Sequence, residues 1–211
     1  LVGSEMCIRD RDNVDIILCE SMSSIFEGSN ASTVAKEFSE RVWLSWTNRG
    51  HQPDQLPSTE TLSNAVDFSI QADVECTLIN CSHADMASNS IKELKRASKF
   101  GIFANSSRFK EVDLSIATKD VDAIHHLNSE TISAKEYALN ALDWAKEGAF
   151  VVGGCCGTTV EHTREIKLLL ELWFLLSLSS QMTTLKTTSD HTPCMQFCDF
   201  LRSRSRVVES Q

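Results

Sequence analysis

The tightest constraint in this chain is five residues long: Gly153-Gly154-Cys155-Cys156-Gly157. Neighbouring cysteines bridge each other only with strain, whereas two thiolates at one turn can share a metal. Gly153 and Gly154 let the backbone turn sharply, and Gly157 permits positive φ before a following helix. The flanks supply both elements. Ala149-Phe150-Val151-Val152 reads as a buried strand, and Thr158 with Glu161 fits a capping box that opens a helix carrying Ile166 and Leu169. A strand, a turn with two thiols and a helix N-terminus put partial positive charge beside the sulfurs.

The same alternation runs upstream. Val14 to Leu18 is a short apolar run ending at Cys19-Glu20-Ser21, and Ser32 to Phe38 reads as a helix. Arg41 to Thr47 is β-rich, Gly50 to Pro57 a polar loop, and Thr61 to Ile70 helical by spacing. Cys76 to Cys81 is the next strand. Ser88 to Lys99 reads as an amphipathic helix stopped at Gly101, with Ile102-Phe103-Ala104 a further strand. Asn105 to Glu130 is irregular. Ser133 with Glu136 marks another helix start, and Gly148 its left-handed stop. About five strands separated by helices predict parallel βα units. An open doubly wound sheet and part of an eight-stranded βα barrel both fit, and no Gly-x-Gly-x-x-Gly fingerprint favours the open sheet.

In a βα barrel the strand ends converge on one face. Cys81 ends one strand, and Cys155 and Cys156 follow another two units later, so the three sulfurs are expected to point at one spot. Three protein ligands with an open fourth position make the pattern of a catalytic zinc site, where a substrate thiol can bind and lose its proton. Such a thiolate attacks a methyl group on a positively charged sulfur or nitrogen. No Ser/His/Asp arrangement is needed, and none is visible, so no catalytic side chain is expected beyond the metal-activated substrate thiol. A structural zinc or thiol-redox protein using the same cysteines is the alternative. Cys19 and Cys76 read as core residues, and the tryptophans Trp43, Trp46 and Trp144 as packing groups. His83, His125 and His126 lack convergent geometry, and His162 reads as a surface residue of the last helix. His191, Cys194 and Cys198 imitate a metal cluster by chance.

These residues resemble a known family. Gly153 to His162, GGCCGTTVEH, is similar to the motif of the zinc-dependent homocysteine S-methyltransferases, which are βα-barrel enzymes. Ile79-Asn80-Cys81 resembles the strand end supplying the family's first zinc cysteine. Leu18-Cys19-Glu20-Ser21 resembles the strand end whose glutamate contacts the homocysteine amino group, with serine where threonine is commoner. Trp43 to Thr47 and Leu56-Pro57-Ser58 also fit. Phe103-Ala104-Asn105-Ser106-Ser107 stands where many members have Tyr-Pro-Asn, a small residue and Gly; Asn105 is kept, but the tyrosine, proline and glycine are not. The resemblance covers about Asp12 to Leu169. It implies an α/β fold, an incomplete (β/α)8 TIM barrel comprising roughly the last five βα units. It implies Zn2+ on Cys81, Cys155 and Cys156, with Glu20 as the substrate-binding residue. The implied activity is methyl transfer to homocysteine, giving methionine, from a sulfonium or ammonium donor: S-methylmethionine or S-adenosylmethionine first, with betaine, or a cobalamin-carried methyl in larger enzymes, as the family's other donors. The family's N-terminal Asp-Gly motif has no counterpart, so the chain by itself is expected to be marginally folded and inactive.

Composition narrows the partners. The 211 residues carry a net charge of −9, which leaves no basic surplus for a nucleic acid. The longest apolar run, Leu168 to Leu176, is broken by Glu171 and is far short of the roughly 20 residues of a membrane span. With no signal peptide visible, the eight cysteines are expected to be reduced thiols or ligands in a cytoplasmic protein. The expected division is an artefactual or disordered N-terminus at 1–11, a partial barrel domain at 12–170, and a disordered or mistranslated tail at 171–211.

Overall fold

The computed structural model describes residues 14–50, 52–109 and 129–185. The N-terminal segment 1–11, His125, His126 and the His191, Cys194 and Cys198 group lie outside the described residues. Among the described residues, seven strands and six helices follow in order: β1 (Ile17–Met22), α1 (Ile25–Lys36), β2 (Val42–Trp46), α2 (Leu62–Gln71), β3 (Cys76–His83), α3 (Ala84–Asn89), α4 (Ile91–Leu94), β4 (Phe100–Asn105), β5 (Ser107–Phe109), β6 (Ser129–Thr131), α5 (Ala134–Lys146), β7 (Val151–Gly154) and α6 (Val160–Leu185).

Five strands form one parallel sheet in the order β1-β2-β3-β4-β7. Each new strand is added beside its predecessor, with no reversal of direction of growth. A doubly wound sheet needs such a reversal. The cores agree. One cluster joins Val42, Leu44, Trp46, Ile79, Ile102 and Val152 to helix residues such as Leu62, Val66, Leu94 and Tyr137. The other holds only strand residues and their flanks: Trp43, Cys76, Leu78, Phe103 and Val151 with Ile16, Leu18 and Phe150. Alternation along each strand sends one set to the helices and the other to a helix-free face. That second face is nonetheless buried: Leu78 is fully covered and Trp43 nearly so.

Several elements differ from the sequence expectation. Helix α1 starts at Ile25, well before Ser32. Its buried face is Gly28, Ser32 and Ala35, whereas Phe26 and Val34 are exposed. Gly28 lies under the Trp46 ring, where a Cβ would collide with it. A helix that buries small residues and exposes large ones carries no apolar stripe to read. Its cap is nevertheless written in the sequence: Ser24 Oγ accepts from Glu27 N–H, and Glu27 accepts from Ser23.

The single helix expected over Ser88 to Lys99 is instead the short pair α3 and α4, joined at Ser90. The Ser90 hydroxyl is engaged by Asn48 and the Pro53 carbonyl, long-range partners that fix a break there, as well as by the local Met86 carbonyl. Part of the region read as irregular, Asn105 to Glu130, forms the antiparallel pair β5-β6. Finally, α6 runs to Leu185, past the point near Leu172 where periodicity lapses. Leu168, Leu172, Leu175 and Leu176 are all exposed on it. Among the described residues, no helix is long and apolar enough to cross a membrane.

Candidate metal centre

Parallel pairing brings the C-terminal ends of β3 and β7 to the same rim, separated only by β4. Cys81 lies in β3, and Cys155 and Cys156 follow β7 directly. Their three Sγ atoms all lie within 4.8 Å of one another. Cys81 Sγ is 3.7 Å from Cys156 Sγ, and Cys155 Sγ is 3.9 Å from Cys156 Sγ. A tetrahedral zinc with bonds of about 2.3 Å requires sulfurs about 3.8 Å apart. The donor set and its spacing therefore fit a zinc ion. No fourth His, Cys, Asp or Glu joins the group among the described residues. Cys81 and Cys155 are half-buried and Cys156 is exposed, so the cluster opens to solvent.

The backbone around the sulfurs is held from β4. Cys155 N–H donates to the Ala104 carbonyl and Cys156 N–H to Asn105 Oδ1, while Ser106 N–H donates to the Cys156 carbonyl. The Thr158 hydroxyl and N–H both reach the Cys155 carbonyl. Thr158 thus closes the turn rather than capping the helix. Helix α6 begins at Val160, and Thr159 N–H donates to His162 Nδ1. His162, expected on the surface, is buried with its ring edge-on to Tyr137 at 5.7 Å. Gly157 has φ +77°, and a Cβ there would sit 2.6 Å from Ser106 Oγ, so the turn requires glycine on two counts.

Beneath the turn, the buried Tyr137 hydroxyl lies 2.8 Å from both the Ala104 and Gly153 carbonyls, bracing β4 against β7. Burial pushes its phenol well above the ordinary range. On the opposite side, Cys81 has φ +52°, left-handed for a residue with a side chain. Asn80, just before it, is buried and bonded to Ser21 and Ser45.

The Cys81 and Cys155 thiols shift in opposite directions. The hydrogen bond from Cys81 pulls the Cys155 thiol down to about 6, against the opposing effect of burial. The same contact, with burial, drives Cys81 far up. Within this pair, Cys155 is favoured as the thiolate and Cys81 as its thiol partner. Cys19 and Cys76 are buried, and burial raises both thiols, so neither is a reactive group. Glu20 is exposed on β1, two strands from β3 in the same sheet and next to the irregularity of β1. Asn80 and Thr158 were not singled out as site residues by sequence. Asn80 directly precedes a candidate ligand, and Thr158 directly follows the glycine turn; that adjacency was the available signal.

The likenesses of this chain to known proteins point the same way. The profile described as Homocysteine S-methyltransferase matches residues 5–170. Homocysteine S-methyltransferase YbgG of Bacillus subtilis (strain 168) is 25% identical over 155 residues, covering 72% of this chain and 45% of that protein. The homocysteine methyltransferase MmuM of Escherichia coli shares the fold. Its metallated form superposes with a TM-score of 0.53 at 18% identity, over 78% of this chain and 48% of that one. Its oxidized form gives 0.55 at 19% identity, over 74% and 46%. The chain thus spans about half the length of the relatives it matches. With a profile match over most of its length and an α/β fold built on a parallel five-stranded sheet like theirs, this chain belongs to the homocysteine S-methyltransferase family.

Proposed function

We propose that this chain carries the metal-binding part of a zinc-dependent homocysteine S-methyltransferase, with Cys81, Cys155 and Cys156 as the zinc ligands. The observation that carries the reading is the convergence of three sulfurs, from the ends of two strands, at spacings that suit a tetrahedral ion. A zinc ion held there supplies the Lewis acidity that keeps an incoming thiol deprotonated near neutral pH. Cys156, exposed, leaves the approach to the cluster open. Glu20, exposed on β1 two strands from β3, is assigned the role of pairing its carboxylate with the homocysteine ammonium. The thiolate sulfur then takes a methyl group from a cationic donor, S-methylmethionine or S-adenosylmethionine. The S–CH3 bond forms as the donor bond breaks, and its electron pair stays on the departing sulfur.

The five sheet strands read as consecutive staves of an eight-stranded barrel, so the fold is an incomplete (β/α)8 barrel. Sequential strand order, helices confined to one face and a buried helix-free face support this. A purely structural zinc site is disfavoured because it closes with a fourth protein ligand, and none joins the cluster among the described residues.

The test is metal and substrate binding by the 211-residue chain. One zinc per chain is expected, with X-ray absorption showing three sulfur neighbours that become four when homocysteine is added. Stoichiometric zinc whose sulfur count never rises with homocysteine would overturn the methyltransferase reading in favour of a structural or redox site.

A further inference from the structure

Two irregularities of the sheet face each other across β2. Register slips in β1 between Cys19 and Met22, and in β3 between Asn80 and His83. Each slip contains a left-handed residue with a side chain, Ser21 at φ +60° and Cys81 at φ +52°. Such bulges bend a strand and re-aim its side chains. Left-handed non-glycine residues persist only where their surroundings over-determine them. Glu20 directly precedes the first bulge residue, and Cys81 is the second.

Asn80 joins the two bulges. Its Oδ1 accepts from Ser21 N–H at 2.9 Å and from the Ser45 hydroxyl at 2.6 Å, and its Nδ2 donates to Ser21 Oγ at 2.8 Å. The orientation of the carboxamide is not arbitrary: a backbone N–H can only donate, so the atom facing it must be the oxygen. Asn80 is 1% exposed and Ser45 fully buried, so water cannot replace these bonds cheaply. The clamp crosses 59 residues of sequence and reaches three strands: Ser21 on β1, Ser45 on β2 and Asn80 on β3.

We infer that Asn80 is a positioning residue that locks the β1 and β3 bulges together and so sets where Glu20 stands relative to the Cys81 sulfur. The inference rests on the proposed homocysteine site and specifies what holds its two halves in register. Asn80 touches neither metal nor substrate in this scheme. It acts through Ser21 on the residue next to it and through its own peptide on Cys81. Removing it leaves three thiols able to bind a metal but loosens the spacing on which amine and thiol recognition depend together.

The experiment uses the full chain loaded with Co2+, whose thiolate charge-transfer absorption reports the sulfurs. Parent, Asn80→Ala and Ser45→Ala are titrated with homocysteine. Asn80→Ala is expected to keep one cobalt and its charge-transfer band but to need at least about tenfold more homocysteine for the ligand-induced spectral change, the scale of outer-shell effects at metal sites. Ser45→Ala, which leaves two of the three clamp bonds, is expected to shift by a smaller factor. Hydrogen exchange at the Ser21 amide reads the clamp without metal or substrate: protection in the parent, lost in Asn80→Ala. Unchanged homocysteine affinity in a folded Asn80→Ala overturns the inference. Should that variant fail to fold, Ser45→Ala decides, and an unshifted titration overturns it equally. A parent that shows no cobalt band or no response to homocysteine, yet a protected Ser21 amide, sinks the methyltransferase reading and leaves the clamp standing. An unprotected Ser21 amide in the parent sinks the clamp alone.

Discussion

The two ends of the same parallel sheet are held by opposite means. At the N-terminal end, Glu75, just before β3, binds Arg41 through Nε at 2.9 Å and Nη2 at 3.1 Å, Lys99 at 2.9 Å and Trp43 Nε1 at 3.2 Å. Arg41 precedes β2 and Lys99 precedes β4, so one carboxylate stitches three consecutive strand starts. These bonds, the Arg41 guanidinium first, hold Glu75 down at about 2. Lys99 also lies 4.7 Å from the centre of the Phe150 ring. At the C-terminal end, the strands finish in left-handed residues and a glycine turn, held by neutral hydrogen bonds, and they gather three thiols. The first end pairs its carboxylate with two cations of the chain itself. The second collects soft donor atoms of the kind a metal ion takes, which is the arrangement of a site rather than of a brace.

If this contrast is right, substitutions at the two ends should separate cleanly. The largest effect is expected for Cys156→Ser. Its side chain is exposed, so the fold should be kept while zinc affinity falls by more than about 100-fold, beyond the range of outer-shell changes. Isothermal titration with zinc beside a denaturant melt checks both halves. Retained zinc affinity would remove the site from this end of the sheet.

Gly157→Ala comes next. It combines a left-handed φ with a Cβ pressed against Ser106, so a stability loss of about 1–3 kcal/mol is expected, together with weaker zinc binding. A melt as sharp and as late as the parent's would show that the turn tolerates a side chain.

The smallest effect belongs to the charged end. Glu75→Gln is expected to cost about 1–2 kcal/mol at pH 7, discounted because Arg41 and Lys99 are each about 40% exposed, with zinc affinity unchanged. The sign with pH follows from a carboxyl held below its ordinary value of 4.5. Its stabilisation is complete above that value and is lost as pH falls from about 4.5 towards 2. The gap between parent and variant should close over that window in urea melts at stepped pH. A gap that persists at pH 2, or a variant that loses zinc, would break the division between the two ends.

Legibility along the chain divides on similar physical lines. Strands β2 and β3 were readable because both faces are buried, so each carries a run of mostly apolar residues rather than a strict alternation. The cap of α5 was readable because Ser133 is a local signal, and it accepts the expected amide. The Glu136 half of that box was not, since its carboxylate is taken by Arg108 on the distant β5. Helix α1 escaped because its buried face is made of small residues chosen by the Trp46 ring. The break between α3 and α4 escaped because Asn48 and Pro53, about 40 residues away, impose it.

For the metal centre, the sequence by itself determined the chemistry: which residues bear sulfur, which turn needs glycine, and that the cysteines stand at strand ends. Thiol reactivity and positive-φ tolerance are properties of single residues, so they can be read without coordinates. Distance, ionisation and register were decided only by the tertiary structure. The 3.7 Å approach of Cys81 to Cys156 spans 75 residues. It exists because parallel strands deliver their C-terminal ends to one rim. The low Cys155 thiol owes most to Cys81 arriving there, with the adjacent Cys156 adding to it. The bulges at Ser21 and Cys81 left no mark in the chain, because ordinary residues occupy them and a buried asparagine on another strand holds them in place.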